Sequence, residues 1–244
     1  MNNRRRQRCA LCGDLGKLCK SHIIPKALHK EIADVDSESG KQFSLVFDPM
    51  RGPDHTWKNQ GGYWERLLCI ECERHFNVAL EKPFFNIWNF DRLAASSLNA
   101  TVLNLPPSET GHIKLFVLSV LFRADAAQRP HWSPVNLGAR HRETIRQMLM
   151  HENTGQDFDY PIHCSKVVTH DVEHPLNEFV SAISRSRCPE TGSPVYGWLM
   201  AGAHWKVFVS SHNKGPTLAH SLSLTGRLPV GVVPLSAFLP HNYP

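Results

Sequence analysis

The fold is decided by two short stretches of sequence, CALCG at residues 9–13 and LLCIECE at residues 67–73. Each stretch contains a Cys-x-x-Cys pair, and the four thiols belong to Cys9, Cys12, Cys69 and Cys72. Zinc prefers four tetrahedral ligands, and each Cys-x-x-Cys turn presents two sulfur atoms to one metal. Two Cys-x-x-Cys pairs are a much stronger sign of a metal site than four cysteines without this spacing would be. The sequence therefore predicts one structural zinc ion, bound by all four thiolates in a compact N-terminal module.

Composition and cysteine usage indicate a reducing compartment. No apolar signal-peptide stretch follows the basic residues MNNRRRQR, and no stretch reaches the roughly 18 apolar residues that cross a bilayer. We therefore expect a cytoplasmic protein with no membrane partner, in which paired cysteines bind metal instead of forming disulfides. The other three cysteines are expected to be buried small apolar residues: Cys19, Cys164 and Cys188.

A basic arm stands directly before the first cysteine pair. Its arginines are Arg4, Arg5, Arg6 and Arg8, and the formal net charge of the chain is +5. Such an arm can neutralise DNA phosphates and release their counterions. Basic runs also occur in solvated tails that only keep a protein soluble. Both interpretations stay open, since a basic patch gains weight when a binding fold lies beside it.

The region around the second cysteine pair is predicted to change from loop to helix. Residues 34–62 are rich in Gly, Pro, Asp and Ser, as a long irregular insertion would be. A helix should begin near Cys72 and run through CERHFNVALE. Its buried stripe is expected to be Phe76, Ala79 and Leu80. Pro83 should break or restart this helix.

The middle of the chain, residues 84–128, has a helical pattern. Within it HIKLFVLSVLFRAD is apolar nearly all round, which is typical of a helix buried at the centre of a domain. Arg123 and Asp125, near its end, are predicted to form a buried ion pair. A second helix, ARHRETIRQMLMHE, is amphipathic. Its apolar face is expected to contain Ile145, Met148 and Leu149.

From about residue 160 the pattern changes to β-branched, aromatic and partly alternating segments. These segments are SKVVTH, FVSAISRSR, VYGWLMAG and HWKVFVSSH. We expect a small antiparallel sheet packed on the central helices. The chain is thus predicted to be an α+β protein with two domains, residues 1–82 and residues 83–244.

Between the cysteine pairs lies SHIIPK, in which His22 follows Cys12 by ten residues. CALCG, SHIIP and LLCIECE together resemble a zinc-supported HNH (ββα-metal) endonuclease module over about residues 9–82. The order of a knuckle, a hairpin and a helix that starts at the second pair is that of a treble clef. The resemblance implies metal-dependent cleavage of DNA, with His22 as the general base that activates water. Mg²⁺ or Mn²⁺ would stabilise charge on the phosphate and the leaving oxygen.

Two positions differ from the family pattern. Ser21 stands where the family has an acidic or imidazole ligand, and Glu73 stands where it has a histidine. Glu73, Asn77 and Glu81 are spaced to share one helical face. This spacing resembles the one that puts two helix ligands on the metal in HNH sites, and the resemblance implies a catalytic ion on Glu73 and Asn77. Further ligands could come from the insertion: Asp54, His55 and Asn59. In the structural alternative, His22 is a buried histidine bonded to a loop carbonyl, and Glu73 only stabilises the helix start, by about 0.3–1 kcal/mol.

A weaker likeness extends over the rest of the chain. LSVLFRA and HWKVFVSSH resemble segments of uncharacterised bacterial HNH-like proteins, and such nuclease-like proteins are associated with mobile elements and phage defence. We expect the C-terminal domain to offer a surface to a protein partner or a second copy of the chain. The competing function is a non-catalytic zinc-stabilised module that binds nucleic acid or protein and has lost the nuclease metal site.

Overall fold

A computed structural model gives the architecture of the chain. The described residues are 7–30, 34–35, 42–47, 56–59, 62–88, 99–168, 180–210, 216–234 and 237–238. Within these ranges the structure combines an N-terminal cysteine cluster, a helical middle and a C-terminal sheet, so the coarse α+β prediction is confirmed. None of the helices in the described ranges is long and apolar enough to cross a membrane.

The N-terminal part is built from short strand pairs. Strand β1 (Gln7–Arg8) pairs antiparallel with β2 (Leu15–Gly16), and β3 (Lys20–His22) is followed by helix α1 (Lys26–Lys30). Strand β3 pairs antiparallel with β7 (Trp64–Arg66), which leads directly to the second cysteine pair. This pairing brings the sequence after Cys12 against the sequence before Cys69 and so closes the module.

The predicted irregular insertion contains a sheet. Three strands form it in the order β4–β5–β6, with bounds Asp34–Val35, Gln42–Phe47 and Thr56–Asn59. The interpretation of residues 34–62 as wholly irregular is therefore wrong. The segment QFSLVF has the aromatic and β-branched residues of a strand. The many Gly, Pro and Asp residues around it give the region as a whole the composition of a loop, which hides this strand.

The helix after the second cysteine pair has three parts. Helix α2 (Ile70–His75) continues into a π-helical segment (Phe76–Glu81) and then into α3 (Lys82–Ile87). The Lys82 amide donates to the Asn77 carbonyl, five residues earlier. The π-helical segment ends at Glu81, and Pro83, which has no N–H to donate to the preceding turn, lies in the first turn of α3. The restart predicted at Pro83 takes the form of this change in helix type.

The helical middle follows its sequence pattern closely. Helix α4 (Pro107–Ala126) is buried over fifteen of its twenty residues, as its uniformly apolar sequence predicts. A single 3₁₀ turn (Pro130–Trp132) leads to α5 (Gly138–Met150), which buries the three predicted residues, Ile145, Met148 and Leu149. The helical prediction for residues 84–128 is wrong at one segment, because β8 (Thr101–Asn104) is a strand.

The C-terminal sheet has six strands in the order β10–β11–β12–β9–β13–β8. The five strands besides β8 are β9 (Ile162–Val168), β10 (Ser184–Arg187), β11 (Pro194–Met200), β12 (Ala203–Phe208) and β13 (Arg227–Pro234). Short helix α6 (Pro216–Ala219) precedes β13. Strand β13 pairs parallel with β9, so the expectation of a purely antiparallel sheet is wrong. A parallel pair needs a long connection, and strands β10 to β12 lie within the connection here.

One hydrophobic cluster includes residues from both predicted domains. The rings of Phe84 in α3 and Phe116 in α4 stack with centroids 3.7 Å apart. The Trp205 ring of β12 meets Phe84 edge-on at 6.2 Å. The helix that begins at the cysteine cluster is therefore anchored in the same core as the central helix and the sheet.

Candidate metal centre and nucleic-acid interface

The first cysteine pair lies on a tight turn between β1 and β2. The Cys9 amide donates to the Asp14 carbonyl, and the Gly13 amide donates to the Cys9 carbonyl, both at 2.9 Å. Gly13 has φ +82°, a conformation that residues with a Cβ rarely adopt. The turn thereby closes tightly enough for both sulfur atoms to face the same side.

The second cysteine pair lies at the start of α2. Cys69 is the residue before the helix, Cys72 is in its first turn, and the Cys69 amide donates to the Cys9 sulfur at 3.3 Å. The Ala10 amide also donates to the Leu67 carbonyl at 2.9 Å. These bonds cross between the pairs and fix the knuckle against the helix start.

The four sulfur atoms fit a tetrahedral metal ion. All of them lie within 4.8 Å of one another, and those of Cys12 and Cys69 are 3.9 Å apart. Zinc–sulfur bonds of about 2.3 Å in a tetrahedron give a sulfur–sulfur separation of about 3.8 Å. The predicted grouping of four cysteines is confirmed. Zinc is the ion that this donor set and spacing suit, and its identity stays a prediction.

The thiols differ in how readily they ionise. Burial raises the pKa of Cys9, but backbone N–H groups of Cys69, Cys12 and Leu11 outweigh it, so that the net shift is downward. Burial raises the pKa of Cys12 to about 11. Because metal binding requires thiolates, uptake of the ion releases protons and weakens as pH falls.

The three other cysteines lie outside this cluster. Cys164 and Cys188 are buried, as predicted. Cys19 is only partly buried, so the prediction for it is wrong. It lies between β2 and β3, and its amide donates to the Leu68 carbonyl at 2.7 Å.

Ser21 and Glu73 meet where the family resemblance would put the catalytic ion. The Ser21 hydroxyl donates to a Glu73 carboxylate oxygen at 2.6 Å and accepts from the Leu68 amide at 3.3 Å. Ser21 is fully buried. Burial raises the pKa of Glu73, against the opposing effects of the Ser21 hydroxyl and the Arg123 guanidinium. The carboxylate is thus engaged by groups of the chain itself.

Arg123 provides a positive charge beside the carboxylates of Glu73 and Glu81. Its side chain is 1% exposed and donates from Nη1 to the Glu81 carboxylate at 2.8 Å. It also donates to the backbone and hydroxyl oxygens of Ser119, both at 3.3 Å. A buried carboxylate needs a cation or strong donors. In this part of the fold the cation is a guanidinium on α4.

The predicted Arg123–Asp125 ion pair is wrong. Asp125 is buried and pairs with Arg142 of α5, and it also accepts the Leu137 amide at 2.8 Å. Two residues apart on a helix point to opposite sides. Arg123 therefore reaches the helix of the cysteine module, while Asp125 reaches α5.

The three predicted catalytic residues do not converge. Asn77 is exposed in the π-helical segment, whereas Glu73 is half-buried against Ser21. The wider π turn changes the angle per residue, so the shared face expected from α-helical spacing is lost. His22 pairs with Trp64 across the strand pair, while Ser21 pairs with Glu65. Since neighbouring residues of a strand face opposite sides, His22 points away from the side on which Ser21 meets Glu73.

The other predicted ligands and arm residues are described only in part. Arg4, Arg5 and Arg6 lie outside the described residues, as do Asp54 and His55. Asn59 ends strand β6, and its backbone alone is described. Arg8 is exposed on β1 and donates to the Gly13 carbonyl at 3.1 Å.

The outer side of the β3–β7 strand pair is basic and aromatic. Lys20 lies opposite Arg66, and His22 lies opposite Trp64. The Lys20 ammonium is 4.3 Å from the centre of the Trp64 ring, and the Arg129 guanidinium is 5.9 Å from it. Cations at these distances are attracted to the face of an indole ring.

A groove of about 620 Å³ runs beside this side of the module. Its polar and aromatic lining comes from three separate parts of the sequence: Gln7, Arg8, Trp64, Glu65, Arg66, Gln128 and Arg129. Arg8, Arg66 and Arg129 are exposed, and Trp64 is half-buried. We call this feature, together with Lys20, the basic groove.

Strand β7 holds the far wall of the basic groove in place. The Glu65 carboxylate accepts the backbone N–H groups of Gln128 and Arg129 at 2.9 and 3.0 Å. The Tyr63 ring meets Trp132 edge-on at 5.7 Å. Tyr63 and Glu65 thus anchor the segment after α4, and Arg129 projects from a fixed backbone.

The sequence motifs do not single out Lys20, Trp64, Arg66 or Arg129, which the structure brings together at the basic groove. The sequence does contain a signal, since KSH and WER each alternate basic or aromatic residues around a central polar residue. The register that puts them on one side becomes visible only in the structure.

No family model, no curated protein and no solved structure matches this chain. The resemblance to HNH nucleases is therefore carried by the motif residues alone.

Proposed function

We propose that the chain is a zinc-stabilised DNA-binding module that holds the phosphate backbone in the basic groove and does not cleave it. The observation that carries this proposal is the cluster of cations around Trp64 in a concave surface. In this proposal zinc on the four cysteines is structural. It ties the β1–β2 turn to α2, in the finer arrangement of a treble clef, and thereby supports two walls of the groove.

The charge balance of the basic groove favours a polyanion. Among its described lining residues the one acidic side chain is Glu65, and two backbone N–H groups already engage its oxygens. Lys20, Arg66 and Arg129 have their charged groups at or near the solvent-exposed surface. Such cations bind DNA by displacing condensed counterions, which is a strong and sequence-independent contribution. The arm with Arg4, Arg5 and Arg6 adjoins Arg8 in sequence and would add to the same surface.

The contacts of the Glu73 carboxylate support binding without catalysis. Its carboxylate accepts the buried Ser21 hydroxyl and lies in the field of Arg123, a cation that the fold itself supplies. Asn77, the second expected ligand, is exposed in the π-helical segment. A hard divalent ion needs several oxygen ligands around one point, and these residues offer no such group.

The test is DNA binding by a variant of the groove. In Arg66→Gln/Arg129→Gln, two phosphate contacts are removed, so the slope of log K against log[salt] should fall by about 1.4–1.8. The loss should be the same for unrelated sequences, because phosphate contacts carry no base information. Fluorescence anisotropy of a labelled oligonucleotide over a salt series measures both quantities.

A matched control removes two exposed cations elsewhere. Arg187→Gln/Lys206→Gln changes the net charge by the same amount on β10 and β12, outside the groove. The control should keep the wild-type salt slope. If both double variants lose affinity equally, net charge and not the groove binds DNA, and the proposal fails.

The second candidate is the metal-dependent endonuclease that the HNH resemblance implies. It is favoured by His22, which pairs across the strands with Trp64, a lining residue of the basic groove. Removal of a general base lowers a rate by about 10²–10⁴. Plasmid cleavage by the wild type in Mg²⁺ or Mn²⁺, abolished in His22→Ala with zinc content and melting temperature retained, would establish this activity instead.

A further inference from the structure

The Trp64 ring has two cations over it and also lines the basic groove. Lys20 lies over the ring at 4.3 Å, but Lys20 is not among the described residues that line the groove. Trp64 and Arg129 do line it, with the guanidinium 5.9 Å from the ring centre. The indole thus borders the open space of the groove together with Arg129, whose guanidinium is not in direct stacking contact with it.

The separation of Trp64 and Arg129 is close to that of a slot for one planar group. Stacked bases are about 3.4 Å apart, so a base between the ring and the guanidinium needs about 7 Å. The observed 5.9 Å is longer than a direct stack and about 1 Å short of this distance. Arg129 has an exposed side chain on a backbone that Glu65 fixes, so the side chain can move by this amount without moving the loop.

We propose that the slot between Trp64 and Arg129 takes one unpaired base, and that the basic groove therefore prefers single-stranded DNA to duplex. This inference rests on the proposed function and names the class of DNA. Aromatic and guanidinium planes stack on any base, whereas a duplex keeps its bases stacked on each other. Arg8 and Arg66, at the rim, would contact the phosphates on either side of the inserted base.

The test compares three labelled ligands of equal length, roughly 12 nucleotides, within the range of about 4–16 that such sites cover. They are oligothymidylate, an abasic strand with the same phosphates, and a duplex. Wild-type protein should bind oligothymidylate about tenfold more tightly than the abasic strand. Trp64→Leu keeps apolar bulk but removes the stacking surface, so the roughly tenfold preference for oligothymidylate over the abasic strand should disappear. Trp64→Phe should lie between the two.

Different failures have different meanings. Equal wild-type affinity for oligothymidylate and the abasic strand would overturn the stacking slot while DNA binding by phosphate contacts stands. Equal weakening of both ligands by Trp64→Leu would also overturn it, since the ring would then only support the charges. Absence of binding to all three ligands would overturn the proposed function itself. Should Trp64→Leu lose zinc or melt early, the wild-type comparison of the two single strands still decides the matter.

Discussion

Arg123 shows how a single residue sets the character of a site. Its buried guanidinium bonds Glu81 and acts on Glu73, so two carboxylates share a cation that belongs to the chain. Removal of one partner from a buried ion pair leaves an uncompensated charge in a medium that solvates it poorly. The cation that stabilises the carboxylates of Glu73 and Glu81 is therefore a side chain of the protein itself.

Arg123→Met should lower the free energy of unfolding by about 3–5 kcal/mol, because the Glu81 carboxylate loses its partner inside the protein. Urea unfolding measures this loss. The second variant, Arg123→Met/Glu81→Gln, removes the orphaned charge as well and should recover part of the stability. Arg123→Met with wild-type stability would show that the ion pair is not needed to balance the buried carboxylates.

His204 makes the stability of the folded protein depend on pH. Burial, with the Lys206 cation nearby, lowers the pKa of His204 to about 4, from about 6.5 in the unfolded chain. The unfolded state then binds more protons between these values, so stability is full above pH 6.5 and falls as pH drops toward 4. At pH 5 the loss should be about 1–2 kcal/mol relative to pH 7.

The difference between wild type and His204→Gln isolates this effect from any acid loss of a metal ion at the cysteine cluster, which both proteins would share. Urea unfolding at pH 7 and pH 5 should show a smaller loss for His204→Gln. An equal loss in both proteins would mean that His204 titrates in the folded state as it does in the unfolded state.

At the scale of elements, the cysteine cluster connects a turn to a helix start. The β1–β2 turn is held by Cys9 and Cys12, and α2 begins between Cys69 and Cys72. A structural zinc site contributes folding free energy directly. Loss of one ligand should therefore affect both elements together.

Cys69→Ser should lose zinc and become insoluble, whereas wild type should contain about one zinc per chain by elemental analysis. Cys19→Ser is the matched control, since the Cys19 amide bonds the carbonyl of Leu68, next to Cys69, but Cys19 lies outside the four-cysteine group. It should keep both zinc and solubility. A soluble, stably folded wild type without metal would contradict the account of this cluster.

The elements that the sequence predicted well are the helices in which the spacing of apolar residues directly reflects which residues are buried. Helices α4 and α5 follow from apolar residues at helical spacing, and their buried faces were predicted residue by residue for α5. Strand β13 was missed because Pro229, Gly231 and Pro234 look like loop signals. It lies second from the sheet edge, between β9 and the short β8, and Gly231 lets its backbone approach Ser165 closely.

At the scale of the whole molecule, the features that the sequence did not predict are those formed by residues distant in sequence that meet only in the folded chain. The metal ligands were found because two Cys-x-x-Cys pairs have a local spacing. The basic groove was not, because Arg8, Trp64 and Arg129 meet only after β3 pairs with β7 and Glu65 anchors the segment after α4. One core through both predicted domains keeps these parts together.

Binding at the basic groove can be located in the unmodified protein by hydrogen exchange with and without a single-stranded oligonucleotide. DNA should slow exchange in peptides that cover residues 7–22, 62–67 and 126–132, because these three segments form the groove. Peptides that cover the sheet between residues 184 and 208 serve as the internal control and should be unchanged. Protection confined to the sheet, or to α2 alone, would contradict DNA binding in the basic groove.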